Sequence, residues 1–285
     1  MKLFSVLGNR YKLDGGAMFG NAPKAMWERW IPADGLNRIR LATRPVLAVT
    51  GKHAILVDAG VGAYMEPKIK DRFGVDESGH VLLKSLEERG FHPEDVTGVI
   101  LSHLHFDHAG GMLSEWQEGR EPSLLFPHAQ YYVGEMAWKR ATHPNPRDRA
   151  SFIPTLNRFL EQSGRLRLIR KGDELTFDEL TIRFIPSYGH SPGLLCSDMR
   201  WDDKRAVFAS DLIPGRPWVH LPITMGYDRF PELLIEEKEF LLDSLVKDNG
   251  WITFVHDPDI SAARVKEDPE RHSFATLDEM PECEL

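Results

Sequence analysis

The chain has 285 residues, of which 42% are hydrophobic and 27% charged, a composition typical of a folded globular protein. Its 43 acidic and 35 basic side chains give a formal net charge of -8. This balance argues against nucleic acid or an anionic membrane as the main partner, because both are bound through basic surfaces. The two cysteines, Cys196 and Cys283, are too few for a disulfide framework. The first residues contain no apolar stretch long enough for a signal peptide, so we expect a soluble cytoplasmic protein with a small-molecule substrate.

The predicted elements alternate between strands and helices, which is typical of an α/β protein. Short runs rich in β-branched residues predict strands over 45–50, 53–58, 96–102, 180–185, 205–210 and 251–255. Apolar spacing near 3.6 predicts helices over 81–89, 134–141, 149–163 and 231–247. Gly51-Lys52 suits the tight turn of a hairpin between the first two strands.

Two segments lack a clear period. Residues 14–44 are expected to form an ordered loop or cap, which could serve a substrate pocket or a homodimer interface. Residues 263–285 are acidic and are expected to pack loosely as a tail. We therefore predict one domain over 1–262 followed by this tail.

The segment SHLHFDHAGG at 102–111 follows a predicted strand and holds four candidate metal ligands, His103, His105, Asp107 and His108. In an extended chain His103 and His105 project to the same side and can bind one metal ion. We expect the chain then to turn into a helix near Gly110-Gly111, which would direct Asp107 and His108 towards a second ion.

Six residues cannot complete two coordination spheres, so further ligands are expected downstream. Three candidates occur at the ends of later predicted strands: His190, Asp211 and His256. Each is an ordinary turn or capping residue when taken alone. After the H-x-H-x-D-H motif, their order along the chain predicts a shared metal site.

With these motifs, residues 1–260 resemble the metallo-β-lactamase superfamily. The resemblance implies a four-layer αββα sandwich with two divalent metal ions at one edge. It assigns His103, His105 and His190 to metal 1, Asp107, His108 and His256 to metal 2, and Asp211 to a bridging position. It also implies that Asp58, at the end of a predicted strand, orients the ligands from behind.

Within that superfamily, LDGGAMFG at 13–20 and MGYD at 225–228 are similar to a bacterial branch of quorum-quenching N-acyl-homoserine-lactone lactonases. The resemblance implies that a metal-bridging hydroxide opens the lactone, with Asp107 and Asp211 taking part in catalysis. That branch commonly has Tyr three residues after the bridging Asp, where this chain has Pro214. We expect Tyr227 to supply the missing hydroxyl. An apolar pocket for the acyl chain is expected to include Met18, Phe19, Trp27, Trp218 and Met225.

Other functions share this kind of site, because fold and metals do not determine the substrate. One alternative is a phosphotriesterase, and another is a hydrolase of other carboxylic esters or of thioesters. An iron-dependent oxidoreductase would use the same ligand types. Zinc is the expected metal, with manganese, iron and cobalt also compatible with His and Asp ligands.

Overall fold

Two mixed β-sheets form the centre of the protein in a computed structural model, which describes residues 1–75 and 77–285. The strands in chain order are β1 (Lys2–Ser5), β2 (Asn9–Asp14), β3 (Arg38–Thr43), β4 (Val46–Val49), β5 (Ala54–Val57), β6 (Gly98–Leu101), β7 (Gln130–Gly134), β8 (Leu166–Ile169), β9 (Glu174–Phe177), β10 (Leu180–Ser187), β11 (Leu194–Trp201), β12 (Lys204–Phe208), β13 (Trp251–Thr253), β14 (Ala262–Asp268) and β15 (Ser273–Met280). The helices are α1 (Gly15–Phe19), α2 (Lys24–Trp27), α3 (Pro67–Arg72), α4 (Val81–Glu88), α5 (Phe106–Ala109), α6 (Glu135–Thr142), α7 (Pro154–Gln162) and α8 (Pro231–Asp248).

The first sheet has six strands in the order β1-β4-β5-β6-β7-β8, and the second has seven in the order β15-β14-β13-β12-β11-β10-β9. Strands β5 to β8 run parallel, and so do β12 and β13. Strands β2 and β3 form a separate antiparallel pair. Within the described ranges, no helix has both the length and the apolar character needed to cross a bilayer.

Three apolar clusters separate four layers of structure. One cluster lies between the first sheet and helices α4, α6 and α7. A second lies between the two sheets, and a third contains the inner face of α8 packed on the second sheet. The clusters are separate because successive side chains of a strand point to opposite faces of the sheet. In β4, Val46 and Ala48 belong to the cluster between the sheets, while Leu47 belongs to the cluster under the helices. The predicted αββα class is confirmed.

All six predicted strands and all four predicted helices are present, and most differ by at most two residues at their ends. The exception is the helix predicted over 149–163, which begins only at Pro154, after a separate 3₁₀ turn over 149–151. The hairpin at Gly51-Lys52 is also present, because β4 and β5 pair antiparallel. The apolar runs that predicted strands are clearest where a strand is buried on both faces, as in β5, whose four residues Ala54–Val57 are all buried.

The prediction of a loop or cap over 14–44 is wrong for much of that segment. Strand β2 pairs with β3 in register from Asn9 with Thr43 to Asp14 with Arg38, and α1 and α2 lie between them. Buried Tyr11, Ile39 and Leu41 alternate with charged residues along the pair. At least half of the positions in each strand are polar or charged, so neither forms the apolar run that predicts a buried strand.

The prediction that 263–285 packs loosely is also wrong. Strands β14 and β15 extend the second sheet, and Phe274 is buried in its core. Backbone hydrogen bonds of 3.0 Å from Leu3 to Leu285 and from Ser5 to Cys283 tie the end of the chain to β1. The acidic residues of this segment lie mostly on the exposed side of a hairpin, so their abundance reflects solvent exposure and not a lack of structure.

The helix expected near Gly110-Gly111 begins earlier, at Phe106. The two glycines instead allow close packing against the loop after β5. A Cβ atom on Gly111 would lie 2.0 Å from the carbonyl oxygen of Ala59, and one on Gly110 would lie 2.2 Å from that of Val61. Asp107 and His108 thus lie in the first turn of α5, pressed against this loop.

Candidate metal centre

The candidate site lies at one edge of both sheets. Asp58 follows β5, His103 follows β6, Asp211 follows β12 and His256 follows β13. These strands belong to the two parallel pairs, and the carboxyl ends of parallel strands meet at the same edge of a sheet. His190 reaches the same edge from the loop between β10 and β11.

The seven predicted ligands fall into two buried clusters. Within each cluster the potential ligand atoms lie within 4.8 Å of one another: His103, His105, His190 and Asp211 in one, and Asp107, His108 and His256 in the other. The division follows the sequence-based assignment of metal 1 and metal 2.

Asp211 lies between the clusters. Its Oδ2 is 3.1 Å from Nε2 of His190 in the first cluster and 3.2 Å from Nε2 of His108 in the second. Its Oδ1 is 3.1 Å from Nε2 of His256. One carboxylate therefore faces histidines of both groups, as a bridging ligand would.

Three of the histidines are oriented by acceptors behind them. His108 Nδ1 is 2.7 Å from Asp58 Oδ2, His190 Nδ1 is 2.8 Å from Asp228 Oδ1, and His256 Nδ1 is 3.0 Å from the carbonyl oxygen of Ala42. An acceptor at Nδ1 favours a proton there, which leaves the lone pair of a neutral imidazole on Nε2. Burial lowers the pKa of His108 and that of His190, but the Asp211 carboxylate and the carboxylates behind each ring outweigh it and hold both pKa values above the ordinary one. A divalent cation would take the place of those protons and receive the Nε2 lone pairs.

Two histidines of the first cluster are already in the neutral form that a divalent cation binds. Burial, followed by the neighbouring histidines, holds the pKa of His103 and that of His105 well below the ordinary value. Both imidazoles are therefore neutral at pH 7, and Nε2 of His103 is buried without a hydrogen-bond partner among the described residues. Neutral imidazoles beside carboxylates are the donor set that zinc and related ions take. The residues fit two such ions.

Behind the clusters, Asp58 is fully buried and anchors two segments of the site. Its Oδ1 accepts a hydrogen bond of 2.7 Å from the backbone N–H of Ser102, and its Oδ2 accepts one of 2.8 Å from Ser102 Oγ. Ser210, which precedes the bridging candidate, donates to Ser102 Oγ at 2.8 Å. Both Asp58 and Ser210 have positive φ, at 60° and 49°, a conformation kept only where surrounding contacts hold it.

Sequence reasoning missed two further side chains. The hydroxyl of buried Tyr11 donates to Asp107 Oδ2 at 2.8 Å and lies 3.1 Å from His256 Nδ1. Asp228 orients His190 and also accepts a 2.6 Å hydrogen bond from the backbone N–H of Met225. Asp228 lies in the MGYD motif at 225–228, which gave no indication that it contacts a metal ligand. Tyr11 is marked in the sequence only by the alternation of apolar and charged residues along β2.

A cavity of about 250 Å³ opens onto both clusters. Of the residues expected at a substrate pocket, Met18, Met225 and Tyr227 line it. Burial and the nearby carboxylate of Asp107 raise the pKa of Tyr227 to about 12, so its hydroxyl is protonated at neutral pH. Leu13, Phe73 and Phe106 add apolar lining that the sequence did not indicate.

The other three residues expected at the pocket, Phe19, Trp27 and Trp218, belong to the core instead. Phe19 stacks between Trp27 and Trp218 with ring centroids 5.4 and 4.7 Å apart, and each of the three is at most 1% exposed. Trp218 Nε1 donates to the carbonyl oxygen of Met18 at 3.0 Å. The aromatic stack therefore supports the pocket wall from behind without lining it.

Comparison with known proteins identifies a matching family model, a curated relative and two similar solved structures. A family model described as the metallo-beta-lactamase superfamily matches residues 40–256. An N-acyl homoserine lactonase of Bacillus thuringiensis is 26% identical over 159 residues, 52% of this chain and 54% of that protein, so the match spans about half the length of this curated relative.

Among solved structures, a probable metal-dependent hydrolase from Staphylococcus aureus superimposes with a TM-score of 0.83 at 27% identity, covering 98% of this chain and 97% of the other. AidC, described as a dizinc quorum-quenching lactonase, superimposes with a TM-score of 0.74 at 21% identity, covering 98% and 94%. The second likeness is one of fold alone.

Proposed function

The chain belongs to the metallo-beta-lactamase superfamily, and from that premise we propose that it is a dinuclear metal-dependent hydrolase that opens lactones of the N-acyl-homoserine-lactone type. The observation that carries the proposal is the position of Asp211 between two buried His/Asp clusters at the floor of a partly apolar cavity. The partial similarity to the Bacillus thuringiensis lactonase supports this substrate class.

The chemistry requires a nucleophile, a polarised carbonyl and a proton acceptor. Two divalent ions in the clusters would supply the first two, by lowering the pKa of a water molecule towards neutrality and by withdrawing charge from the carbonyl oxygen. We propose zinc as the resident metal, with manganese, iron or cobalt as alternatives.

The chain's own residues supply the remaining functions. The carboxylates of Asp107 and Asp211 line the cavity and are placed to hold or pass on a proton. The protonated hydroxyl of Tyr227 can donate a hydrogen bond to the substrate, the role expected of it from the sequence. Half-buried Leu13, Phe73 and Phe106 offer apolar surface to an acyl chain, with the largely buried Met18 and Met225 behind them.

Metal analysis and turnover assays on one preparation test the proposal. We expect about two metal ions per chain, and preferential hydrolysis of a long-chain acyl-homoserine lactone over a thioester and a phosphotriester. Chelation should abolish the activity and added zinc should restore it. His105→Ala and Asp211→Ala should be folded and inactive, while His128→Ala, which changes an exposed histidine outside the clusters, should remain active.

Each contrary outcome has a distinct meaning. Preferential turnover of the thioester or phosphotriester would replace the lactone by that substrate. One iron per chain without hydrolysis would indicate oxidative chemistry. Full activity in His105→Ala or Asp211→Ala would refute the dinuclear mechanism itself.

A further inference from the structure

The candidate cavity contains more positive charge than an apolar acyl chain requires. Three arginines line it, Arg72 at the end of α3 and Arg147 and Arg229 in loops, although the whole chain carries a net charge of -8. Guanidinium groups gathered in a concave site are typical of sites that bind carboxylate or phosphate.

Arg147 and Arg229 are held on the same wall by one turn. Arg147 Nη2 donates to the carbonyl oxygen of Gly226 at 3.0 Å, and Arg229 Nε donates to that of Tyr227 at 2.9 Å. Arg229 Nη2 donates to the same carbonyl oxygen of Tyr227, so these bonds position both guanidinium groups. Nη1 of Arg229 is shielded from solvent and has no hydrogen-bond partner within the part of the chain that the structure describes. A buried donor without an acceptor is unfavourable, so this N–H group is available for an acceptor atom of a ligand.

The charges around Arg229 lead to the same conclusion. Burial and then the neighbouring Arg147 lower the pKa of Arg229; Arg140 lowers it further, and Asp148 and Asp228 oppose the shift. Asp228 is engaged by an imidazole and a backbone N–H, and Asp148 Oδ2 accepts from Arg140 at 2.8 Å, while Asp148 Oδ1 has no partner among the described residues. The other two carboxylates of the cavity, Asp107 and Asp211, belong to the metal clusters. Arg147 and Arg229 are therefore the cationic groups that this wall offers to an anionic ligand.

We propose that Arg147 and Arg229 form a carboxylate-binding subsite, and that the lactone substrate carries a carboxylate at the end of its acyl chain, remote from the ring. The inference rests on the proposed lactone hydrolysis and adds a substrate class to it. A carboxylate can accept from two guanidinium N–H groups at once, which satisfies the Arg229 Nη1 donor.

A pair of matched substrates tests the subsite. N-adipoyl-homoserine lactone with a free terminal carboxylate is compared with the same lactone ending in a neutral primary amide. We expect the wild-type chain to prefer the carboxylate at least about tenfold in kcat/KM, mostly through KM, as one charge-assisted hydrogen-bonded contact would give. The preference should shrink towards unity in Arg147→Gln and Arg229→Gln. Arg149→Gln is the matched control, because it removes a nearby exposed arginine that does not line the cavity.

Equal kcat/KM for the two lactones, or a preference that survives both cavity variants, would overturn the inference. A binding measurement separates this from failure of the proposed function. If neither lactone is opened, calorimetric titration with adipic acid monoamide should still show about tenfold weaker binding to Arg229→Gln than to Arg149→Gln. Equal affinities would exclude the subsite whatever the reaction, because a carboxylate held only by metal ions would not distinguish the two variants.

Discussion

Replacing Asp58 with Asn is expected to weaken metal binding without changing any predicted ligand. The fully buried carboxylate accepts from Ser102 N and Ser102 Oγ and lies 2.7 Å from His108 Nδ1. An Asn side chain keeps one acceptor oxygen but presents an NH₂ group at the other position. The Ser102 hydroxyl can rotate to accept from it. The imidazole of His108 can do so only by moving its proton to Nε2, the nitrogen that faces Asp211 at 3.2 Å.

That change of tautomer removes one lone pair from the second cluster. Loss of such an outer contact typically weakens metal affinity about 10–100-fold, or about 1.4–2.8 kcal/mol. The backbone is expected to stay in place, because Asn tolerates the positive φ of 60° found at this position.

Competition with a chromophoric chelator for zinc measures the effect. Asp198→Asn is the matched control, since Asp198 is also buried and accepts a 3.0 Å hydrogen bond from Arg205, but contacts neither cluster. Its zinc affinity should equal that of the wild type. Zinc affinity in Asp58→Asn within about twofold of wild type would refute the argument that Asp58 controls the tautomer of His108.

Three further predictions follow from other contacts. Lys238→Met should lower the free energy of unfolding by about 2–4 kcal/mol, because the buried amino group, whose pKa burial lowers to about 7, donates to three backbone carbonyls of residues 220–223. Denaturant titration against the exposed Lys247→Met tests this, and equal stability would contradict it. Tyr227→Phe should lower kcat/KM about tenfold. Because the pKa of Tyr227 is about 12, the wild-type rate should show no tyrosine ionisation below pH 10, and a Tyr227-dependent loss of rate near pH 9 would count against a protonated donor. Phe19→Ala should cost about 3–5 kcal/mol of stability, and an unchanged thermal midpoint would place Phe19 outside the core.

The individual strands and helices could be predicted because their signals are local, whereas the four-layer arrangement was expected only from the family resemblance. Alternation along β4 and β5 and the helical spacing in α8 each extend over one element. The same limit explains the errors at the chain's ends, where strands such as β14 are stabilised by pairing with β13 and β15 as much as by their own pattern.

The composition of the pocket could not be predicted in the same way. Met18 and Phe19 are neighbours in sequence, yet Met18 lines the cavity and Phe19 stacks in the core. Apolar residues serve both purposes, so only the direction of the side chain distinguishes them. The pairing of Arg147 and Arg229 could not be predicted either, because the two residues are 82 positions apart by their numbers. They meet only through their hydrogen bonds to the turn at Gly226 and Tyr227.

The sequence by itself determined the α/β class, the H-x-H-x-D-H motif and the candidate ligands at later strand ends, since these depend on residue type and short-range spacing. The tertiary structure decided how those side chains are oriented. Tyr11 reaches Asp107 and His256 across 96 and 245 positions of the chain, and Asp228 reaches His190 across 38. Hydrogen bonds between such distant residues leave no periodic pattern in the sequence, because the partners come together only when the sheets have folded.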